Sequence, residues 1–185
     1  PDDRKKRYIN EYNLSNYDAS VLTSDKSVSD FFDNVIKVDS SLKKSSKIVV
    51  NWITSELFSL LNENDLEINN SPITPESLGK LVKLIIDDVI SGKIAKDVLL
   101  EMFSTKKDPD KIIEDKGLKQ VTDTSLIETI VDDVIDENQK MVEQYLSGKD
   151  KLLGFFVGQA MKKSKGKANP KILNEILKEK LSKKN

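Results

Sequence analysis

The spacing of apolar residues constrains this chain more than any other feature. In "SSKIVVNWITSELFSLLN", from Ser45 to Asn62, residues Ile48, Val49, Trp52, Ile53, Leu57, Leu60 and Leu61 recur at steps of three and four. That rhythm lays one broad apolar face along a helix and has no counterpart in the two-residue alternation of a strand. Pro75 to Ser91 repeats it with Leu78, Leu81, Val82, Ile85, Val89 and Ile90. Here Thr74 reads as the helix cap with Pro75 at the first position and Ser77 close behind, and Gly92 reads as the stop. Only 7 Gly and 5 Pro occur in 185 residues, too few for the turns of a sandwich or barrel. The expected fold class is therefore all-α.

Shorter helices are predicted at Asp2 to Tyr12, Tyr17 to Leu22, Ser27 to Val38, Ala95 to Ser104 and Pro109 to Asp115, with "NLSNYD", "NNSPITP" and "KKDPDK" as turns between them. Many short helices without a heptad or fixed repeat describe an irregular helical domain. A boundary is expected near "DKGLKQVTDT", where Gly117 ends one helix and Thr122, Asp123 and Thr124 offer caps for the next. The following apolar stripe is Leu126, Ile127, Ile130, Val131, Val134 and Ile135, and helices at Gln139 to Tyr145, Lys149 to Lys163 and Pro170 to Leu181 complete a small bundle.

Cysteine and histidine are both absent. Their absence removes disulfides, Ser-His and Cys-His nucleophiles, and the usual ligands of zinc, haem and iron–sulfur sites. No apolar run approaches the roughly 20 residues that cross a bilayer, so no membrane partner is expected. The N-terminal "PDDRKKRYINEY" is charged without a following apolar segment, which is not the pattern of a secretory signal. It also lacks an initiator Met, and the chain reads as part of something longer.

Charge is distributed unevenly. From Gln139 to Asn185 there are 12 Lys and 4 Asp or Glu, whereas the rest of the chain holds 18 Lys or Arg and 27 acids. A positive end on a chain of net charge −1 suits a polyanion. The densest stretch is "GQAMKKSKGKANPK", Gly158 to Lys171, placed where one helix ends and another begins. Lysines at that end complement the helix macrodipole and keep a turn soluble. They also make a phosphate site: Gly166 admits close backbone approach, amides at the next helix start donate to anions, and Lys162, Lys163, Lys165 and Lys167 supply charge. Asn169 is expected to cap the second helix with Pro170 at its first position. No Arg occurs in this region, so contact with phosphate and shape is expected, with little base reading.

The same residues carry a family resemblance. "LLGFFVGQAMKKSKGKANPKILNEILKEKL", Leu152 to Leu181, resembles the C-terminal motif of the GatB/YqeY family, whose members include the B subunit of a tRNA-dependent amidotransferase. "YDASVLTSDKSVSDFF", "NWITSELFSLLN", "SPITPESLGKLVKLIIDDVISGKIAKDVL" and "EDKGLKQVTD" match further segments in the same order. The resemblance implies a helical middle domain over residues 1–118 followed by a YqeY-like helical-bundle tail over 119–185. It also implies that ATP and magnesium belong to a separate N-terminal domain, which activates misattached Glu or Asp before transamidation, and that this fragment needs no cofactor of its own and no catalytic residue. The implied partners are tRNA and, through the parent subunit, the amidotransferase A and C subunits, in bacterial cytoplasm or an organellar matrix. Gln159, Lys162, Lys163, Lys165, Gly166, Lys167 and Asn169 are the tRNA-binding candidates, and Lys93 and Lys96 of "SGKIAK" a secondary contact. A module that docks on a partner subunit or a synthetase is the alternative reading of the tail.

Other residues have plainer explanations. Trp52, Phe155 and Phe156 have the surfaces to stack on bases, but helical spacing among apolar neighbours assigns them to core. Gly158, inside a helix, reads as a point of close helix packing. The pairs Asp87–Asp88 and Asp132–Asp133 point in different directions on a helix and so form solvated acidic faces rather than an ion site.

Overall fold

The computed structural model describes residues 2–119 and 124–183. Every regular element among them is helical, and the chain divides into two compact units, Pro1–Gly117 and Leu118–Asn185. Thr122 and Asp123, expected as caps, lie outside the described residues.

The first unit contains α1 (Asp2–Tyr12), α2 (Asn16–Thr23), α3 (Lys26–Ile36), α4 (Ser41–Lys44), α5 (Ser46–Asn51), α6 (Phe58–Glu63), α7 (Pro75–Ile86), α8 (Gly92–Thr105) and α9 (Pro109–Lys116). Helix α3 lies at its centre, packed against α2, α5 and α7, because Val28, Phe31, Phe32, Val35 and Ile36 give it one broad apolar face. Helix α1 is fixed by a polar clamp. Arg7 reaches both oxygens of Asp33 at 3.0 and 3.2 Å, and the buried Tyr8 hydroxyl donates to the same carboxylate at 2.9 Å. Burial, then the charge of Asp33, pushes the Tyr8 hydroxyl well above the ordinary tyrosine range. Gly79 of α7 permits a close approach, since a Cβ there would stand 2.6 Å from Cγ2 of Val38.

Between α5 and α6 the backbone widens into a π-helical turn, Trp52–Leu57, a form that places an extra residue in the turn. Trp52 and Ile53 are thereby both buried, in keeping with a core role for the tryptophan. Ile48 departs from expectation and is exposed, with Val50 buried in its place. Within α5 the buried face is Ser46, Val49 and Val50, and at about 100° per residue Ile48 lies on the opposite side of that helix.

The capping box at the start of α7 forms as read. Thr74 Oγ1 accepts from Ser77 N at 3.1 Å, and Ser77 Oγ accepts from Thr74 N at 3.1 Å, with Pro75 at the first position. The end differs. The helix stops at Ile86 because Asp88 adopts a left-handed φ of 58°, and Val89 N closes back on Leu84 O at 3.0 Å. Gly92 therefore opens α8 instead of ending α7, and Ser91 caps it by accepting from Ile94 N. Gly117 ends α9 with a φ of 59°.

The second unit holds α10 (Thr124–Glu137), α11 (Gln139–Leu146), α12 (Leu152–Lys163) and α13 (Pro170–Ser182). Helices α10, α12 and α13 pack against one another around Ile127, Val131, Val134, Phe156, Ala160, Leu173 and Leu177, with α11 laid on α12. Phe156 is fully buried and meets Tyr145 edge-on with ring centres 6.2 Å apart. Leu126, counted in the stripe, is exposed. No described helix is long and apolar enough to cross a membrane.

Candidate nucleic-acid interface

The lysine-rich stretch of the second unit folds into the turn between α12 and α13. Helix α12 closes with Gly166 N donating to Met161 O at 2.8 Å and Lys165 N to Lys162 O at 3.1 Å, the paired ending in which the chain must enter the left-handed region. Lys165 and Gly166 both do so, with φ of 57° and 77°. Ala168 and Asn169 are buried, which anchors the far side of the turn, while Lys165 and Gly166 stand exposed between the anchors.

Asn169 caps α13 as expected. Its Oδ1 accepts from Lys171 N at 3.0 Å and Ile172 N at 3.1 Å, and its backbone carbonyl accepts from Leu173 N at 2.9 Å; such a cap is worth about 1 kcal/mol. The expectation of free amides at this helix start is thereby corrected. Pro170 has no N–H, and the next three amides are taken by Asn169. Asn169 shapes the turn from within, and any anion held here must be held by side chains.

The lysines divide into two groups. Lys163 Nζ pairs with Glu137 at 2.9 Å and Lys180 with Asp132 at 2.8 Å, tying α12 and α13 to the acidic α10. The hydrogen bond to Glu137 holds Lys163 above the ordinary lysine range. Lys162, Lys165 and Lys167 have no carboxylate within ion-pair distance among the described residues, and Lys162 and Lys165 are exposed. Lys171, not singled out from the sequence, adds a further exposed cation in the first turn of α13, which contains no acid. A lysine at that position works against the helix dipole, so the turn is a concentration of positive charge in which Lys162, Lys165 and Lys167 have no acidic partner among the described residues. Glu128, Asp132, Asp136 and Glu179 line a separate depression on the α10–α13 side.

Gly158 also departs from the sequence reading. A Cβ built on it meets nothing within 4 Å among the described residues, and the same is true of Gly154 one turn earlier. Internal packing thus does not account for either glycine. Gln159 is half-buried beside them on the same helix. In the first unit, Lys93 is exposed in the first turn of α8 and Lys96 lies 3.5 Å from Glu56 on the π-helical turn. Among the described residues no three His, Cys, Asp or Glu side chains converge as a metal site requires.

All regular structure among the described residues is helical, and residues 30–181 fit the family model described as the GatB domain; the chain belongs to that family. Its relatives include the B subunit of the aspartyl/glutamyl-tRNA(Asn/Gln) amidotransferase of Rickettsia rickettsii (strain Sheila Smith), 53% identical over 182 residues, which is 98% of this chain and 37% of the relative. The protein of the same name from Alkalilimnicola ehrlichii is 51% identical over 181 residues, and that of Nitrosococcus oceani 50% identical over 182, covering 37% and 38% of those chains. The chain therefore spans little more than a third of the length of these relatives.

Proposed function

We propose that this chain is the tRNA-holding part of an amidotransferase B subunit. It binds and positions Glu-tRNA(Gln) or Asp-tRNA(Asn) for ATP-dependent transamidation, and the reaction itself belongs to a separate N-terminal domain. The relatives' names supply the substrate class, and one observation carries the assignment to a place: Lys162, Lys165 and Lys167 gather at a single turn with no counter-ion among the described residues. Surface cations left unpaired beside a helix start gain most from phosphate, and lysine, as a point charge, suits backbone contact better than base reading. No group of this chain is assigned a step in the chemistry. ATP and magnesium fall to the N-terminal domain, and the A and C subunits are reached through the whole B subunit.

The open face of α12 extends the contact. Each glycine in a helix costs about 1 kcal/mol relative to Ala, and Gly154 and Gly158 face open space, which lets an RNA backbone come against the helix itself. Gly158→Ala is expected to stabilise the fold by about 1 kcal/mol with little change in affinity. Gly158→Leu is expected to keep the fold and weaken binding of folded tRNA roughly tenfold, about 1.4 kcal/mol. Melting curves and filter binding measure both. Unchanged affinity in Gly158→Leu would remove α12 from the interface, and tRNA-independent capture of a partner subunit would favour protein docking by the tail.

A further inference from the structure

The end of α12 carries a lysine where its hydrogen bonding calls for glycine. In the paired ending formed by Met161, Lys162, Lys165 and Gly166, the residue that turns left-handed first is ordinarily Gly, because a side chain there crowds the following carbonyl. Here that residue is Lys165, at φ 57°, and the glycine comes one position later. A residue in a disfavoured conformation persists where its surroundings over-determine it.

Ser164 provides that determination. Its hydroxyl donates to Met161 O at 2.9 Å and accepts from Ala168 N at 3.1 Å, while its carbonyl accepts from Lys167 N at 3.2 Å. The last turn of α12 and the buried Ala168 are thus joined through one side chain, across the three residues that include Lys165 and Lys167. Without that link the turn keeps its backbone bonds but loses its tie to Ala168, and the two lysines sample more directions.

We propose that Ser164 is a positioning residue for tRNA binding: its hydroxyl braces the turn in which the paired backbone ending sets Lys165 left-handed, and so presents Lys165 and Lys167 together to the RNA backbone. This rests on the tRNA reading above. Preorganising flexible cations saves the entropy of ordering them on binding, so the loss should appear in affinity and in the number of phosphates engaged.

The test is binding of the full chain to folded tRNA across a salt series, with four variants. Ser164→Ala is expected to bind three- to tenfold more weakly, with the slope of log affinity against log salt reduced by about one. Ser164→Thr, which keeps the hydroxyl, is expected to restore both. Lys165→Gly guards against misfolding as the cause: it relieves the left-handed residue, so it should melt no lower than the parent while binding more weakly with the slope again reduced by about one. Wild-type affinity and slope in Ser164→Ala or in Lys165→Gly, beside a clear loss in Lys165→Glu/Lys167→Glu, would overturn the positioning role and leave the tRNA reading standing. Failure of the parent chain itself to bind tRNA overturns both.

Discussion

Lys165→Glu/Lys167→Glu is expected to weaken binding of folded tRNA on the order of 100-fold at moderate salt. Neither ammonium has a carboxylate partner among the described residues, so reversal breaks no internal pair, and the tail should melt within a few degrees of the parent. Each reversal removes one phosphate contact and adds a repulsion, roughly 0.7 kcal/mol for each of the four changes at moderate salt. The same reversal at Lys163 acts differently: it sets two acids together where Lys163 now meets Glu137 at 2.9 Å, and the expected effect falls on the join between α10 and α12. Fluorescence titration with labelled tRNA, run beside thermal melts, separates the two. An unaltered affinity in the double variant would take Lys165 and Lys167 out of the interface.

Phe156→Ala is expected to unfold the second unit. Phe156 is fully buried and edge-on to Tyr145 and Phe155, with ring centres 6.2 and 5.6 Å apart. Removing a buried phenyl ring costs about 3–5 kcal/mol, and a bundle of this size has about 3–5 kcal/mol in total from its core. Circular dichroism should show helix lost in proportion to α10 to α13, and tRNA binding should go with it. The first unit has its own core around α3 and should keep its melting transition. A cooperative melt within a few degrees of the parent would show that the tail core tolerates the cavity.

The parts of the fold legible in the sequence were those set by local rules. Apolar residues at three- and four-residue steps gave α7, α10, α12 and α13, and side-chain chemistry gave the Thr74–Ser77 box and the Asn169 cap. The parts that were not legible depend on residues distant in sequence or on choices between near-equal neighbours. Asp88 takes the left-handed position at the end of α7 although Gly92 is close by. Lys162 and Lys163 are adjacent and chemically identical, yet only Lys163 meets Glu137, because α10 passes beside that face of α12. For the site, the lysines and the glycine were readable from their density. That Asn169 would consume the helix-start amides, and that Gly158 would face open space, required the packing of the bundle.

The most direct measurement is the salt dependence of tRNA binding by the unaltered chain. Four exposed or partly exposed lysines at the turn, Lys162, Lys165, Lys167 and Lys171, predict that log affinity falls linearly with log salt with a slope of about −3 to −4, at roughly 0.7–0.9 per phosphate neutralised. An affinity that stays flat across the series, or no binding at low salt, would contradict a phosphate-holding turn and return its lysines to the role of a solvated helix end.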